Sequence, residues 1–323
     1  MKLNIKNFIN YLNSNFIFEN KPFIAVAVSG GPDSMALLFL MKKWVDTKKG
    51  NLVALIVNHK IRKEATHEAK QVEQILKNKN INSKILSVQK SQVLKKSMKE
   101  ARTNRFRLLT NYCNKNHILH LFVAHHNDDY IETYINRKLI GSDIEGLNPI
   151  NEISLNNKIC IIRPLLNFSK IDIYKFNKDN KISYLEDPTN LSAKYTRTVI
   201  RNFLKNIDKK SFSEIKNEIK LIKKNLPFYV QMIFEIIIKN SVVIDHKILK
   251  FDFAVINGLD NLLAEKIIKK IYGFISSNQT NIRSAKIQIL IKNLKKSDFK
   301  IFNLKSMIIK KTDQFVIFSQ KMS

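Results

Sequence analysis

The sequence predicts an α/β fold, a doubly wound parallel sheet followed by a smaller, mainly helical domain. Three observations carry this expectation. Short apolar runs alternate with helical patterns from Phe23 to about residue 205. The first run ends in "SGGPDS", which gathers two glycines and a proline in a chain with only 7 Gly and 6 Pro. After about Asn206 the alternation stops, and lysine-rich helical patterns replace it.

The elements follow in order. "FIAVAVS" reads as a buried strand and "DSMALLFLMKKW" as the helix after it. "NLVALIVNH" is a second strand, and Glu64 to about Lys79 a second helix. "INSKILSV" is a third strand, followed by a long helix from about Ser91 to Asn114. "ILHLFVAHH" is a fourth strand, with a helix from about Asp128, and "KICIIRPL" is a further strand. Strands alternating with helices imply a parallel sheet covered on both faces. Later helices are expected at Ser213–Asn225, Phe228–Lys239, Leu262–Tyr272 and Ile282–Leu294, with short strands at the end. The chain of 323 residues is long enough for roughly two domains. The expected division is 1–206 and 207–323.

Composition excludes several classes. The hydrophobic fraction of 44% and charged fraction of 26% are those of a soluble globular protein. No apolar run approaches the roughly 18 residues of a membrane span. The start, "MKLNIKNFINYLNSNFIF", lacks the unbroken apolar core of a signal peptide. Cys113 and Cys160 are far apart and form no CxxC, which argues against disulfides and thiolate metal sites. These features fit a cytoplasmic protein. The formal charge of +29 points to a polyanionic partner, nucleic acid first. A general bias toward Lys, Asn and Ile is the competing explanation. Arginine is rare, and all but Arg283 lies before about residue 205. Where lysine is the default cation, arginine marks a need for a fixed fork of donors.

The glycine turn has a chemical reading. Gly30 and Gly31 permit a tight turn and close approach of amides to a ligand. Pro32 suits a first helical turn. Free amides and the helix dipole then favour a phosphate. The pattern is neither GxxxxGK[ST] nor GxGxxG. A plain strand–helix turn is the competing reading, but Asp33 fits it poorly. A carboxylate beside a phosphate nest needs a cation between them, and Mg²⁺ on a pyrophosphate supplies one. The second feature is "AHHNDDYIET", at the carboxyl edge of the sheet, where such folds bind ligands. His125, Asp129 and Glu132 are spaced to converge there. A capping box from Asp129 to Glu132 is the alternative. Zinc is disfavoured because the spacing is not HExxH.

"SGGPDS" resembles the pyrophosphate loop of the N-type ATP pyrophosphatases, whose fold is that of the adenine nucleotide alpha hydrolases. In order after it come "VNHKIRKEATHEA", "KEARTNRFRLL", "AHHNDDYIETYINRKLIGSDIEGL", "IIRPLL", "EDPTN" and "YTRTVIRNFL". Over about residues 22–205 the chain resembles the tRNA(Ile)-lysidine synthases. Asn58 departs from that pattern, where Asp is expected before His59.

The resemblance implies an ATP-dependent ligase. It joins L-lysine to C2 of the wobble cytidine in the CAU anticodon of tRNA(Ile), through an adenylated cytidine, and releases AMP and pyrophosphate. Ser29, Gly30, Gly31, Pro32, Asp33 and Ser34 would hold ATP, and Asp33 the Mg²⁺. Asp129 and Glu132 would hold lysine, and His125 would position it or relay a proton. Arg102 would steady the ATP phosphates or the lysine carboxylate, beside Arg105 one helical turn on. A salt-bridged surface face is the competing reading of that pair. Arg197 and Arg201 would hold tRNA backbone or a phosphate of ATP. The basic domain 207–323 would bind tRNA. No protein partner is implied beyond a second copy of the chain. A sulfur-inserting tRNA enzyme with the same loop is disfavoured by the lack of paired cysteines. A non-catalytic RNA-binding protein is disfavoured by the acids.

Overall fold

A computed structural model describes residues 2–58, 65–88, 98–185, 196–276 and 282–321. The chain divides into two compact units, Met1–Ile219 and Lys220–Ser323.

The first unit opens with α1 (Ile5–Asn15), capped by Asn4, whose side chain accepts from the Asn7 amide at 2.8 Å. Then come β1 (Phe23–Val28), α2 (Pro32–Thr47), β2 (Asn51–Asn58), α3 (Ala65–Lys77) and β3 (Ser83–Ser87). They are followed by α4 (Met98–Lys115), β4 (His120–Phe122) and α5 (Asn127–Leu139). The unit continues with β5 (Ile153–Asn156), β6 (Ile159–Ile162), a 3-10 turn at Pro164–Asn167, α6 (Lys170–Asp179) and α7 (Thr196–Asn206). The sheet order is β3-β2-β1-β4-β6-β5. All neighbours are parallel except β5, which pairs antiparallel with β6.

The expected alternation is therefore present, with an antiparallel edge strand added. Strand β1 is buried from Ile24 to Val28 because both its faces are covered. Ile24, Val26 and Val28 face one core layer with Leu37, Trp44 and Leu12. Ala25 and Ala27 face the other with Leu109, Cys113 and Leu121. The chain runs β1, β2, β3 outward, then returns to place β4 on the other side of β1. The carboxyl ends of β1 and β4 thus flank the point where the strand order reverses. Ligands of such folds bind there.

Helix α8 (Lys209–Lys239) is continuous through Pro227, where the sequence suggested two helices. Proline removes one amide donor and strains the preceding turn, but the flanking turns still form. The unit division falls inside this helix rather than at 206/207. The second unit holds β7 (Ser241–Asp245), β8 (Ile248–Asp252), α9 (Phe253–Gly258), α10 (Asn261–Ile275), α11 (Ser284–Leu294), β9 (Ile301–Leu304), β10 (Met307–Lys311) and β11 (Phe315–Gln320). Its strands form an antiparallel sheet in the order β7-β8-β11-β10-β9. Its core includes Phe251, Ile267, Leu290, Met307 and Phe318. The β7–β8 pair was not expected from sequence. "SVVID" is short, and four of its five residues are exposed, so no buried period marks it. Among the described residues no helix is long and apolar enough to cross a membrane.

Candidate active site

The turn after β1 is built as its residues require. Gly30 has φ +88°, and a Cβ there would lie 2.5 Å from Val72 Cγ2. No other residue type fits both constraints. Gly31 is the N-cap of α2 and Pro32 its first residue. The cap supplies no side chain, and the first-turn amides of a helix have no intrahelical acceptor. The loop's carbonyls are occupied. Gly30 O accepts from the Leu185 amide at 2.9 Å, and Pro32 O from Asn177 Nδ2 at 3.0 Å. Ser34 Oγ accepts from the Ser29 amide at 3.1 Å and bonds Gly31 O at 3.0 Å. Ser34 therefore pins the loop shut across its base. Asp33 stands in the first turn, and its Oδ1 is buried with no partner.

Across the switch point, His126 is the N-cap of α5. Its Nε2 lies 3.7 Å from Asp33 Oδ2 and 3.5 Å from Asp129 Oδ2. Its Nδ1 lies 3.6 Å from Asp128 Oδ2. Burial opposes charge on this ring, but bonds to Asp128 and Asp33 and the nearby Asp129 outweigh it and push the pKa up to about 10. Nδ1 also stands 3.4 Å from the Asp129 amide in a capping geometry. A protonated Nδ1 cannot accept that amide. Three carboxylates within 3.7 Å favour the imidazolium over so long a cap. The half of the cap that remains is the His126 amide donating to Asp129 Oδ2 at 3.1 Å, so the cap joins His126 to Asp129 rather than Asp129 to Glu132. Asp128 Oδ2 also accepts the Lys170 amide at 2.8 Å and so ties α5 to the start of α6. Burial raises the Asp128 pKa, but His126 and that amide hold it below the usual carboxylate range.

Among the described residues His125 makes no hydrogen bond or ion pair with Asp129 or Glu132, with which its spacing was expected to bring it together. Its pKa falls to about 3 through burial first, then through the positive charges of Arg163, Arg102 and Arg105. The backbone at His126 is extended (φ −120°, ψ 179°), so consecutive side chains leave on opposite sides. His126 takes the acidic side and His125 the basic side. Glu132 is only 6% exposed, and Arg201 Nε donates to its Oε1 at 2.6 Å. Two residues expected to meet different ligands are thus bonded to each other. Arg102 and Arg105 lie near each other on α4, as the spacing implied.

The side chain of Arg197 lies outside the described residues, as do His59, Arg62 and the segment "EDPTN". Sequence reasoning missed His126, Arg163 and Asp128. For His126 a signal was available. It immediately precedes "NDD", the acidic opening of a helix, which is the N-cap position.

A parallel sheet with a glycine turn and an acidic helix start on either side of its switch point defines a nucleotide-binding α/β protein. The protein-family profile described as the PP-loop domain matches residues 1–207, and the chain belongs to this ATP-binding family. The tRNA(Ile)-lysidine synthase of Orientia tsutsugamushi (strain Boryong) is 39% identical over 201 residues, 62% of this chain and 45% of that protein. The tRNA(Ile)-lysidine synthase of Wolbachia pipientis wMel is 41% identical over 203 residues, 62% of this chain and 47% of that protein. The chain spans about half the length of the curated relatives it matches. Among solved structures, the U34-tRNA thiolase NcsA from Methanococcus maripaludis with its 4Fe-4S cluster superposes with a TM-score of 0.58 at 18% identity. It covers 69% of this chain and 80% of that one. That likeness concerns the fold alone.

Proposed function

We propose that this chain is a ligase that attaches L-lysine to C2 of the wobble cytidine of tRNA(Ile) with a CAU anticodon, at the expense of ATP. One observation carries the reading. Asp33 of the loop and the acids of α5 meet at His126, in a region 39% identical to a protein named for this activity.

The loop amides and the dipole of α2 receive the ATP phosphates. The cytidine O2 attacks the α-phosphorus and pyrophosphate leaves. The lysine ε-amine then attacks C2 and AMP leaves. Asp33 fits Mg²⁺, because its buried Oδ1 has no protein partner. Among the described residues no group of three or more His, Cys, Asp and Glu is arranged to hold a metal. Mg²⁺ does not need such a cage, since it takes one or two carboxylates together with substrate phosphates. When bound it neutralises charge on the phosphates.

Asp129 and Glu132 attract the substrate ammonium. Glu132 is occupied by Arg201, so Asp129 is the more available of the two. Free lysine has a pKa near 10.4, and its deprotonation at pH 7 costs about 4.6 kcal/mol. A charged His126 has no lone pair to offer, so the proton passes to a carboxylate, and Asp129 is the residue we assign. Lysines of residues 207–323 contact the tRNA backbone. The test is incubation of the full chain with ATP, Mg²⁺, labelled lysine and tRNA(Ile) bearing CAU. AMP, pyrophosphate and labelled tRNA are expected. Release of ADP and phosphate would exclude the reading.

A further inference from the structure

Helix α6 buries three side chains, Ile173, Phe176 and Asn177. Ile173 and Phe176 join the core beside α2, and the Phe176 ring lies edge-on to Phe39 with centroids 6.0 Å apart. Asn177 is the polar member of the set. It is 2% exposed, and its Oδ1 is buried with no partner. A buried acceptor without a donor is costly, and a leucine would occupy the same seam without that penalty. What the asparagine adds is one donor, Nδ2 to Pro32 O at 3.0 Å. A carbonyl only accepts, so this bond fixes which way the amide is turned.

The chain after α6 makes a second contact with the same loop. The Ile182 amide donates to Asn177 O at 2.9 Å, and the Leu185 amide donates to Gly30 O at 2.9 Å. The opposite end of α6 is fixed as well. Ser169 and Asp172 cap it reciprocally, and the Lys170 amide donates to Asp128 Oδ2 at 2.8 Å. From Lys170 to Asn177 is about 10 Å along a helix. Helix α6 thus sets the spacing between the glycine loop and the start of α5, and Asn177 is its grip on the loop.

A trans peptide is planar, with its C=O and N–H on opposite sides, and the described residues contain no cis bond. Gly30 O shares one such plane with the Gly31 amide, and Pro32 O shares another with the Asp33 amide. Both carbonyls are drawn toward the segment that runs from Asn177 to Leu185. Both amides are therefore turned away from it, toward the open side of the loop. We infer that Asn177 is a positioning residue for the ATP phosphates: its hold on Pro32 O aims the Asp33 amide into the phosphate nest, as Leu185 aims the Gly31 amide. The inference rests on the reading that this loop holds those phosphates. Asn177 touches no ligand and acts through the Pro32–Asp33 peptide. A peptide gripped at its oxygen does not have to be ordered when the anion arrives, so less of the binding energy is lost.

The test measures binding of ATP with Mg²⁺, and of adenosine, to the full chain by calorimetry. Wild type, Asn177→Leu and Asn177→Ala are compared, with a thermal melt of each. Adenosine carries no phosphate, so it reports on the rest of the nucleotide site. Asn177→Leu removes the donor and the orphaned acceptor together, so it should melt close to wild type or above it. Its dissociation constant for ATP should nevertheless rise roughly tenfold, the range of one charge-assisted hydrogen bond. Adenosine should change by less than about twofold. If the leucine variant does not fold, Asn177→Ala carries the test with the same expected split between the two ligands. Unchanged ATP affinity in a folded variant overturns the inference. Equal weakening of ATP and adenosine also overturns it and makes Asn177 a packing residue. Wild type that binds adenosine but gains nothing from the phosphates of ATP would refute the reading of the loop itself, and the inference with it, before any variant is compared.

Discussion

Arg201 on α7 donates from Nε to Oε1 of Glu132 on α5 at 2.6 Å, and Glu132 is buried while Arg201 is partly exposed. This pair fastens α7 to the helix that carries the acids. Removing Arg201 strands a buried carboxylate. Arg201→Met should cost about 2 kcal/mol, below the range for a fully buried pair because the arginine keeps contact with water. Glu132→Gln should cost about 1 kcal/mol, since the amide oxygen still accepts. The double variant should be more stable than Arg201→Met alone. Urea denaturation of the four proteins measures this, and simple additivity would show that the two side chains are not coupled.

The two neighbouring histidines should make stability depend on pH in opposite senses. The folded pKa of His126, about 10, lies above its ordinary 6.5. Its contribution is therefore complete below about 6.5, declines above it and is gone once pH passes about 10. The melting temperature of wild type should exceed that of His126→Gln at pH 7, and the gap should close toward pH 10. The folded pKa of His125, about 3, lies below 6.5. Its neutral burial favours folding above 6.5, and that advantage is lost as pH falls toward 3. His125→Asn should narrow the loss of stability on the acid side only. Gaps that stay constant across both pH ranges would refute these environments.

Most of the sheet was legible because burial on both faces leaves continuous apolar runs such as "FIAVAV" and "LVALIV". The turn was legible because Gly30, Gly31 and Pro32 are each demanded by backbone geometry. Helix α6 was not foreseen, since its 10 residues bury only Ile173, Phe176 and Asn177. The site was legible in composition but not in pairing. Spacing along a helix suggested that His125 joins Asp129. That spacing says nothing of the extended residue before the helix, which sends His125 the other way. Arg163 and Arg201 were out of reach for a different reason. Their roles depend on contacts with strands and helices distant in sequence, and no local pattern encodes those.

Gly30→Ala should be strongly disfavoured. The positive φ strains any Cβ, and the added atom meets Val72 Cγ2 at 2.5 Å. A loss of roughly 1–3 kcal/mol is expected. ATP affinity should fall with it, because the loop must shift. Gly31→Ala is the control. Its nearest neighbour to an added Cβ is Ser29 Oγ at 3.7 Å, so the fold should tolerate it. Urea melts and ATP titrations of both variants separate backbone geometry from phosphate contact. Equal stability of the two would show that the turn does not need its left-handed residue.

The last prediction concerns the charge of +29. Lys220 and Lys224 are exposed one turn apart on α8, in the region we assign to tRNA. Backbone contacts release counterions, so each one lost lowers the log–log salt slope by about 0.7–0.9. If both lysines touch phosphate, the double variant Lys220→Gln/Lys224→Gln should bind tRNA with a slope smaller by about 1.4–1.8. ATP affinity should be unchanged, because the loop lies in the other unit. The measurement is tRNA affinity for wild type and variant across a salt series. Equal slopes would mean that these lysines are solvated surface. The phosphate contacts would then have to come from other cations, and the same series on variants of further exposed lysines would locate them.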